Sequence, residues 1–205
     1  MTRPAKFSDD ELLERAMAVL WRRGWAHTSI RDLEDALEVK APSIYRRFGT
    51  KDGLGAVVID RYVDQIVQRR VSKYLTGEGD PIRNIERFLI TSVAKADDDG
   101  RLRGCLLTTC SMEHDEPDAV LAEALARGFE VIESGLRHEV DRAASLGRLA
   151  DGVDPADAVA TLALVMQGLM SMSRGDSTPA DLRKRARSAV ALVARPDASS
   201  RIGGS

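Results

Sequence analysis

The residues with the clearest chemical potential lie in one short segment, EVKAPSIYRRFGTK, at positions 38–51. Its cations and hydroxyls are Lys40, Ser43, Tyr45, Arg46, Arg47 and Lys51. Lysine neutralises phosphate charge, and arginine also pairs bidentately with phosphate or guanine. Because the whole chain has a formal net charge of −2, this cationic patch is a local feature. It indicates either a nucleic-acid surface or a solvated basic face.

A second reactive segment, RGCLLTTCSMEHDEPD, covers residues 103–118 and contains both cysteines of the chain. Three interpretations stay open. Cys105 and Cys110 are small buried hydrophobes; or Cys105 is a thiolate sensor, favoured by a helix N-terminus and two preceding arginines; or Cys110 and His114 begin a metal site. In a helix, Cys105, Thr109 and Met112 share one face, which makes them candidates for effector sensing.

The same segment raises the possibility of a cysteine enzyme, with Cys105 as nucleophile and His114 as base. The two residues are nine positions apart, which is about 180° around a continuous helix, so they meet only if the segment is not helical. The sequence has no Gly-rich phosphate loop, Ser-His-Asp order or paired metal signature. It therefore predicts no enzyme, no cofactor and no metal, and two free thiols.

The elements that position these residues are predicted to be helices. Aromatic residues make up only 4% of the chain, while Ala, Leu and Arg are abundant. That composition favours an all-α fold. Ser8 and Glu11 have the spacing of a capping box, and the first helix should end at Gly24. Thr28 or Ser29 caps the second helix.

A third short helix is predicted at residues 41–48, only two or three residues after the second. Pro42 fits its first turn, Ile44 and Phe48 point inward, and Ser43, Arg46 and Arg47 point outward. Three short helices joined by tight turns form a helix-turn-helix unit. This spacing favours nucleic-acid binding over a merely solvated basic face. A long helix follows from Thr50, and the whole chain is predicted to contain about nine helices.

The last two predicted helices carry narrow apolar seams with alternating three-four spacing. Such seams suit packing between subunits, or the monomer's own core. The candidate dimer-interface residues are Val159, Leu162, Met166, Leu169, Leu182, Ala186, Ala189 and Val193.

The run GWAHTSIRDLEDALEVKAPSIYRRFGTKDGL, residues 24–54, resembles the DNA-binding domain of the tetracycline-repressor (TetR) family of bacterial transcription regulators. The elements that match are Gly24, Thr28-Ser29-Ile30, Leu33, Ala36, Val39, Ser43-Ile44-Tyr45, Phe48, Lys51 and Leu54. The resemblance implies a homodimer that binds double-stranded operator DNA and an unknown small-molecule effector. It also implies contacts to DNA from Ser29, Arg31, Lys40, Ala41, Pro42, Ser43, Tyr45, Arg46 and Lys51.

With this resemblance, the chain divides into a helix-turn-helix DNA-binding domain at 1–50, a linking helix at 51–75, an effector-binding and dimerisation domain at 76–195, and a disordered tail at 196–205. The 103–118 segment more weakly resembles a subgroup of the family, some of whose members respond to electrophiles or oxidants through a cysteine. We expect a cytoplasmic repressor without membrane contact. The alternative is a helical interaction module that does not bind DNA.

Two positions depart from the family pattern. Glu38 stands where glycine is usual in the turn between the second and third helices, and a non-Gly residue with positive φ there costs on the order of 1 kcal/mol. Lys40 replaces the usual Ser or Thr cap of the third helix, which exchanges a cap for a charge.

Overall fold

The computed structural model describes residues 7–75, 78–93, 104–114 and 116–196. Its α-helices are α1 Asp9–Arg23, α2 Ile30–Leu37, α3 Ala41–Phe48, α4 Lys51–Tyr62, α5 Gln68–Tyr74, α6 Pro81–Ser92, α7 Leu106–Glu113, α8 Ala119–Ser145, α9 Pro155–Met172 and α10 Pro179–Val193. A π-helical turn, Val63–Val67, joins α4 directly to α5. Counting that continuous stretch once, the described residues form nine helices, and the predicted all-α fold is confirmed.

The chain divides into two compact units. The first contains residues 1–67 and 105–129, and the second contains residues 68–104 and 130–205. The functional division at residues 50, 75 and 195 stays a prediction. All of the predicted disordered tail except Pro196 lies outside the described residues.

The first unit begins with a helix start that follows the sequence pattern. The Ser8 side chain accepts a hydrogen bond from the Glu11 N–H, and the Glu11 carboxylate accepts one from the Ser8 N–H at 2.8 Å. This reciprocal capping satisfies two of the orphan donors of α1. The helix buries Leu12, Ala16 and Leu20 and ends at Gly24, whose φ of 87° suits glycine.

The second helix is capped by Ser29, one of the two predicted candidates. Ser29 and Asp32 form a second capping box at the start of α2. The other candidate, Thr28, is buried and donates its hydroxyl to the Gly24 carbonyl at 2.6 Å. Thr28 therefore closes the turn between α1 and α2.

The second unit contains α5, α6, α9, α10 and most of α8. Side-chain oxygens cap three of its helices: Asp80 at α6, Asp154 at α9 and Thr178 at α10. One of its buried polar residues is Glu139, whose carboxylate accepts hydrogen bonds from Asn84 at 3.3 Å and Arg142 at 2.6 Å. Burial is the main cause that raises the pKa of Glu139, and Arg142 opposes it.

The apolar seams of α9 and α10 lie mostly inside the single chain. Of the eight candidate dimer-interface residues, all except Ala189 are buried. Their burial favours the alternative of a monomer core, and the assignment of these residues to a dimer interface stays a prediction. The exposed apolar side chains on these helices are instead Leu164 on α9 and Leu192 on α10, at 73% and 74% exposure.

By length and composition alone, α9 is long and apolar enough to cross a membrane, the one such helix in the described part of the chain. Only a third of it is buried. Core helices of soluble proteins also meet this criterion, so the finding is weak evidence for a membrane span.

Candidate nucleic-acid interface and the cysteine helix

The third helix presents one face inward and another to solvent. Ile44 is only 1% exposed, whereas Tyr45 is 44% exposed and Arg46 is also exposed. The recognition surface consists of the predicted contact residues on α2 and α3: Ser29, Arg31, Lys40, Ala41, Pro42, Ser43, Tyr45 and Arg46. Each of these is exposed or half-buried, and the half-buried ones are Ala41 and Ser43. A helix with this exposed cationic face has the size and charge that fit the major groove of DNA.

The turn between α2 and α3 contains both departures from the family pattern. Glu38 has the left-handed conformation, with φ 53° and ψ 34°. Arg15 of α1 holds this residue in place, because its guanidinium donates to the Glu38 carboxylate at 3.0 Å and to the Ala36 carbonyl at 3.4 Å. The sequence did not indicate this contact, since Arg15 lies 23 residues earlier.

The missing cap of α3 is supplied from the preceding helix. Lys40 occupies the N-cap position and makes no side-chain capping bond. The carboxylate of Glu34 on α2 accepts a hydrogen bond from the Ala41 N–H at 2.6 Å. This is an interaction that sequence reasoning missed, although a carboxylate six residues before the N-cap is a signal that could have suggested it.

Neighbouring arginines of α3 have different environments. Arg47, one of the cations of the 38–51 segment, forms an ion pair with Asp9 of α1. The Asp9 side chain is largely exposed, so this pair contributes little to stability. Arg46 lies in the same turn and is exposed, which makes it available to the recognition surface.

Lys51 lies at the start of α4, as the predicted phosphate contact requires, but its ammonium group contacts the protein. It donates to the Trp25 carbonyl at 3.0 Å and lies 4.5 Å from the centroid of the indole ring. Burial is the main cause that lowers the pKa of Lys51. The DNA-free structure thus gives Lys51 a structural role, and a phosphate contact by this residue stays a prediction.

The cysteine helix, α7, begins where the sequence predicts. Cys105 is its N-cap residue, is 5% exposed, and accepts a hydrogen bond from the Tyr62 hydroxyl with an O–S distance of 3.5 Å. The two preceding arginines lie outside the described residues. Thr109 is buried as well, but Met112 is 65% exposed. The structure therefore keeps Cys105 and Thr109 in the interior and separates Met112 from them.

Cys110 and His114 are engaged separately. Cys110 is fully buried, and the two cysteines do not form a disulfide. The His114 Nε2 lies 3.0 Å from a carboxylate oxygen of Asp52, and its ring packs against Trp25 with centroids 5.6 Å apart. In the described ranges, no three His, Cys, Asp or Glu side chains are grouped as a metal site would require.

The C-terminal end of α7 contacts the turn after α1 and the start of α4. Glu113 accepts a hydrogen bond from the Ala26 N–H at 3.2 Å, in the turn after α1. Asp52 of α4 accepts one from the Asp118 N–H at 3.0 Å in addition to its His114 contact. We call Ala26, Asp52, Glu113, His114 and Asp118 the α7 junction. Its contacts join residues 62 to 87 positions apart, so local sequence patterns could not reveal them.

The junction also depends on a small residue at position 24. A Cβ atom added to Gly24 would lie 2.3 Å from a Glu113 carboxylate oxygen. The turn after α1 therefore approaches the end of α7 as closely as glycine alone permits.

Comparisons with known proteins agree with this fold. Residues 12–56 match the family described as "Bacterial regulatory proteins, tetR family". Residues 81–190 match the family described as "Tetracyclin repressor-like, C-terminal domain".

Among individual relatives, the transcriptional repressor ComR of Escherichia coli is 37% identical over 76 residues, which cover 37% of this chain and 36% of ComR. The transcriptional repressor DhaR of Mycobacterium sp. is 27% identical over 120 residues, 58% of each chain. The matched region is thus less than two thirds of either relative.

Solved structures cover more of the chain. A cysteine mutant of the TetR family transcriptional regulator CifR, complexed with 26-bp double-strand operator DNA, has a TM-score of 0.80 and 27% identity. That match covers 92% of this chain and 98% of the other. The reduced form of E. coli NemR, at 18% identity and a TM-score of 0.78, covers 92% and 97% and shows the shared fold.

The fold and the exposed face of α3 define a helix-turn-helix DNA-binding protein. With both its N-terminal and C-terminal regions matched, the chain belongs to the TetR family of bacterial transcription regulators.

Proposed function

We propose that this regulator is a homodimeric repressor that places its two α3 helices in successive major grooves of a near-palindromic operator. The observation that carries the proposal is the division of α3 into a buried Ile44 face and an exposed face with Tyr45 and Arg46. Half-sites for such a dimer lie one helical turn or a multiple apart. A small change in the separation of the two α3 helices is then enough to move one of them out of its major groove.

The dimer would form through the exposed faces of α9 and α10. Leu164 and Leu192 are large apolar side chains on neighbouring helices that the chain itself leaves exposed. Burying them against a second copy removes apolar surface from water, at roughly 25 cal/mol per Å². This assignment also accounts for the apolar character of α9 without a membrane, and it fits a cytoplasmic protein.

The regulator would leave DNA when a small molecule binds or when the Cys105 thiol is modified. Cys105 lies at the start of α7, the helix whose other end forms the α7 junction with the DNA-binding helices. A group added to a thiol that is only 5% exposed must displace its neighbours. Displacement of α7 would reach the turn after α1 and the start of α4.

Catalysis is not part of the proposal. Cys105 and His114 lie at opposite ends of α7, about 13 Å apart along the helix axis. Each has its own partner, Tyr62 and Asp52 respectively. A nucleophile and its base must be within hydrogen-bond reach of each other, and these two are not.

A mobility-shift assay on genomic fragments from the region upstream of the coding gene tests DNA binding. We expect a specific shift for the wild-type protein and its loss, or at least tenfold weaker binding, for Arg46→Ala. The matched control is Arg47→Ala, in which the neighbouring arginine paired with Asp9 is removed. A shift equally strong in wild type and Arg46→Ala, or no sequence preference at low salt, would reject the proposed role of α3.

The thiol response is tested by adding a mild electrophile to the protein–DNA complex. We expect release of DNA from wild type and from Cys110→Ser, but not from Cys105→Ser. Both cysteines are buried, so the two variants differ chiefly in position along α7. Release from Cys105→Ser as well would remove Cys105 from the mechanism and leave a small-molecule effector.

A further inference from the structure

The recognition helix begins with a residue that cannot cap it. Lys40 has the extended backbone of an N-cap residue, with φ −82° and ψ 149°, yet its side chain makes no capping bond. A lysine ammonium is a donor only, whereas the first N–H groups of a helix need acceptors. The acceptor must therefore come from another residue or from water.

Glu34 supplies that acceptor from α2. Its carboxylate accepts the Ala41 N–H at 2.6 Å. A hydrogen bond to an ionised acceptor is stronger than one between neutral groups. The negative charge also lies at the positive end of the α3 dipole. Glu34 is half-buried within a helix whose own start is fixed by the Ser29–Asp32 capping box, so its backbone is held in place.

The contact therefore joins the last turn of α2 to the first turn of α3. Lys40 and Ala41, two residues of the recognition surface, lie next to this contact. A capping side chain on the N-cap residue itself would fix only the start of α3. Because Glu34 belongs to α2, its hydrogen bond also fixes the spacing between the two helices.

We propose that Glu34 is a positioning residue for DNA recognition, which caps α3 from α2 and so leaves position 40 to a lysine that contacts phosphate. The inference rests on the proposed function of α3 as the DNA-contacting helix. A Ser or Thr at position 40 could cap α3 but would carry no positive charge. Here Glu34 provides the cap and Lys40 provides the charge.

The test compares Glu34→Ala with Glu34→Gln in operator binding. Both variants lose the same negative charge near the DNA, but glutamine keeps an acceptor oxygen at the end of a side chain of equal length. We expect Glu34→Gln to bind within about twofold of wild type and Glu34→Ala to bind about fivefold more weakly, the size typical of a lost cap. The salt dependence of binding should stay unchanged in both, because neither variant loses a phosphate contact.

A second arm asks whether a cap at the usual position makes Glu34 dispensable. In a Lys40→Ser background, the serine can accept the Ser43 N–H, but not the Ala41 N–H that Glu34 accepts. Adding Glu34→Ala there should therefore still weaken binding about fivefold, because the link to α2 is lost. Lys40→Ser alone should reduce the magnitude of the slope of log K against log salt by about one unit. Thermal melting of each variant without DNA verifies that it is folded.

The outcomes distinguish the role of Glu34 from DNA recognition by α3. Equal binding by Glu34→Ala and Glu34→Gln, or no loss from Glu34→Ala in the Lys40→Ser background, would overturn the positioning role and leave DNA recognition by the wild-type protein unaffected. An absence of sequence-specific binding by wild type would reject the proposed function and this role together.

Discussion

Glu38 has a backbone conformation that most residues other than glycine avoid, and its carboxylate is paired with Arg15. Its φ of 53° is the one positive φ of a non-glycine residue in the described ranges. The strain arises between Cβ and the backbone, so every residue with a Cβ experiences it, whereas glycine does not. The ion pair with Arg15 is half exposed, with side-chain exposures of 38% and 45%, and contributes little by itself.

A pair of substitutions separates these two effects. Glu38→Ala and Glu38→Gly both lose the Arg15 ion pair, but only Glu38→Gly relieves the strain. We expect the Gly variant to be more stable than the Ala variant by about 1 kcal/mol in urea unfolding. Equal stabilities would show that the left-handed conformation of residue 38 is not maintained in solution.

Asp32 makes the start of α2 sensitive to acid. Hydrogen bonds from the Ser29 hydroxyl and N–H, with a smaller contribution from Arg23, lower the pKa of Asp32 from 3.8 to about 2. Because the folded-state pKa is depressed, the stabilisation is present above about pH 4 and is lost as the pH falls towards 2. The carboxylate is then protonated in the folded state as well.

We therefore expect Asp32→Asn to have a lower urea midpoint than wild type at pH 7, with the gap closing between pH 4 and pH 2. The control is Asp35→Asn, at a position on α2 beyond its capping box, which should not alter the pH dependence. A gap that persists undiminished at pH 2 would contradict an electrostatic cap.

At the scale of elements, α7 is the connection between the cysteine and the DNA-binding helices. Its first residue neighbours Cys105, and its last residue, Glu113, accepts the Ala26 N–H. Gly128 of α8 lies against the same helix, since a Cβ there would approach Leu107 to within 2.6 Å. Such close packing transmits a displacement of α7 instead of absorbing it.

Removing one contact of the α7 junction should weaken that connection. We expect Glu113→Ala to bind operator within about threefold of wild type, but to need a several-fold higher electrophile concentration for release. The measurement is fluorescence anisotropy of labelled operator during a titration with the electrophile. Glu123→Ala, which removes an exposed glutamate of α8, is the matched control and should respond as wild type does. Identical release by Glu113→Ala and wild type would exclude the Glu113 contact from the pathway.

The sequence predicted these elements more successfully than their connections. Local patterns predicted the helix starts, because each start depends on neighbours within one turn. Examples are the Ser8–Glu11 capping box, the Ser29 cap and the start of α7 at Cys105. The Glu113–Ala26 contact depends on how distant segments pack, and no periodicity encodes it. The apolar seams of α9 and α10 were visible, but hydrophobic spacing cannot distinguish a core from a subunit interface.

At the scale of the whole molecule, the exposed leucines of α9 and α10 should hold the dimer together. A carboxylate at position 164 would have to lose its hydration in the interface, which is costly without a partner charge. We expect Leu164→Glu to be monomeric at micromolar concentration in analytical ultracentrifugation and to bind operator at least tenfold more weakly.

Leu146→Glu provides a matched control for that change. Leu146 follows α8, is 61% exposed, and has no place in the proposed interface. Its variant should sediment as wild type does. A Leu164→Glu protein that is dimeric and binds DNA normally would show that the dimer interface lies on another face.

The central claim is that two copies of α3 read one DNA site, and selection from a random-sequence duplex pool tests it most directly. The wild-type protein should enrich a near-palindrome whose half-site centres lie one helical turn or a multiple apart. Arg46→Ala should fail to enrich that sequence, while Arg47→Ala should recover it. Enrichment of a single unpaired half-site would contradict the dimeric arrangement, and no enrichment at low salt would contradict DNA recognition itself.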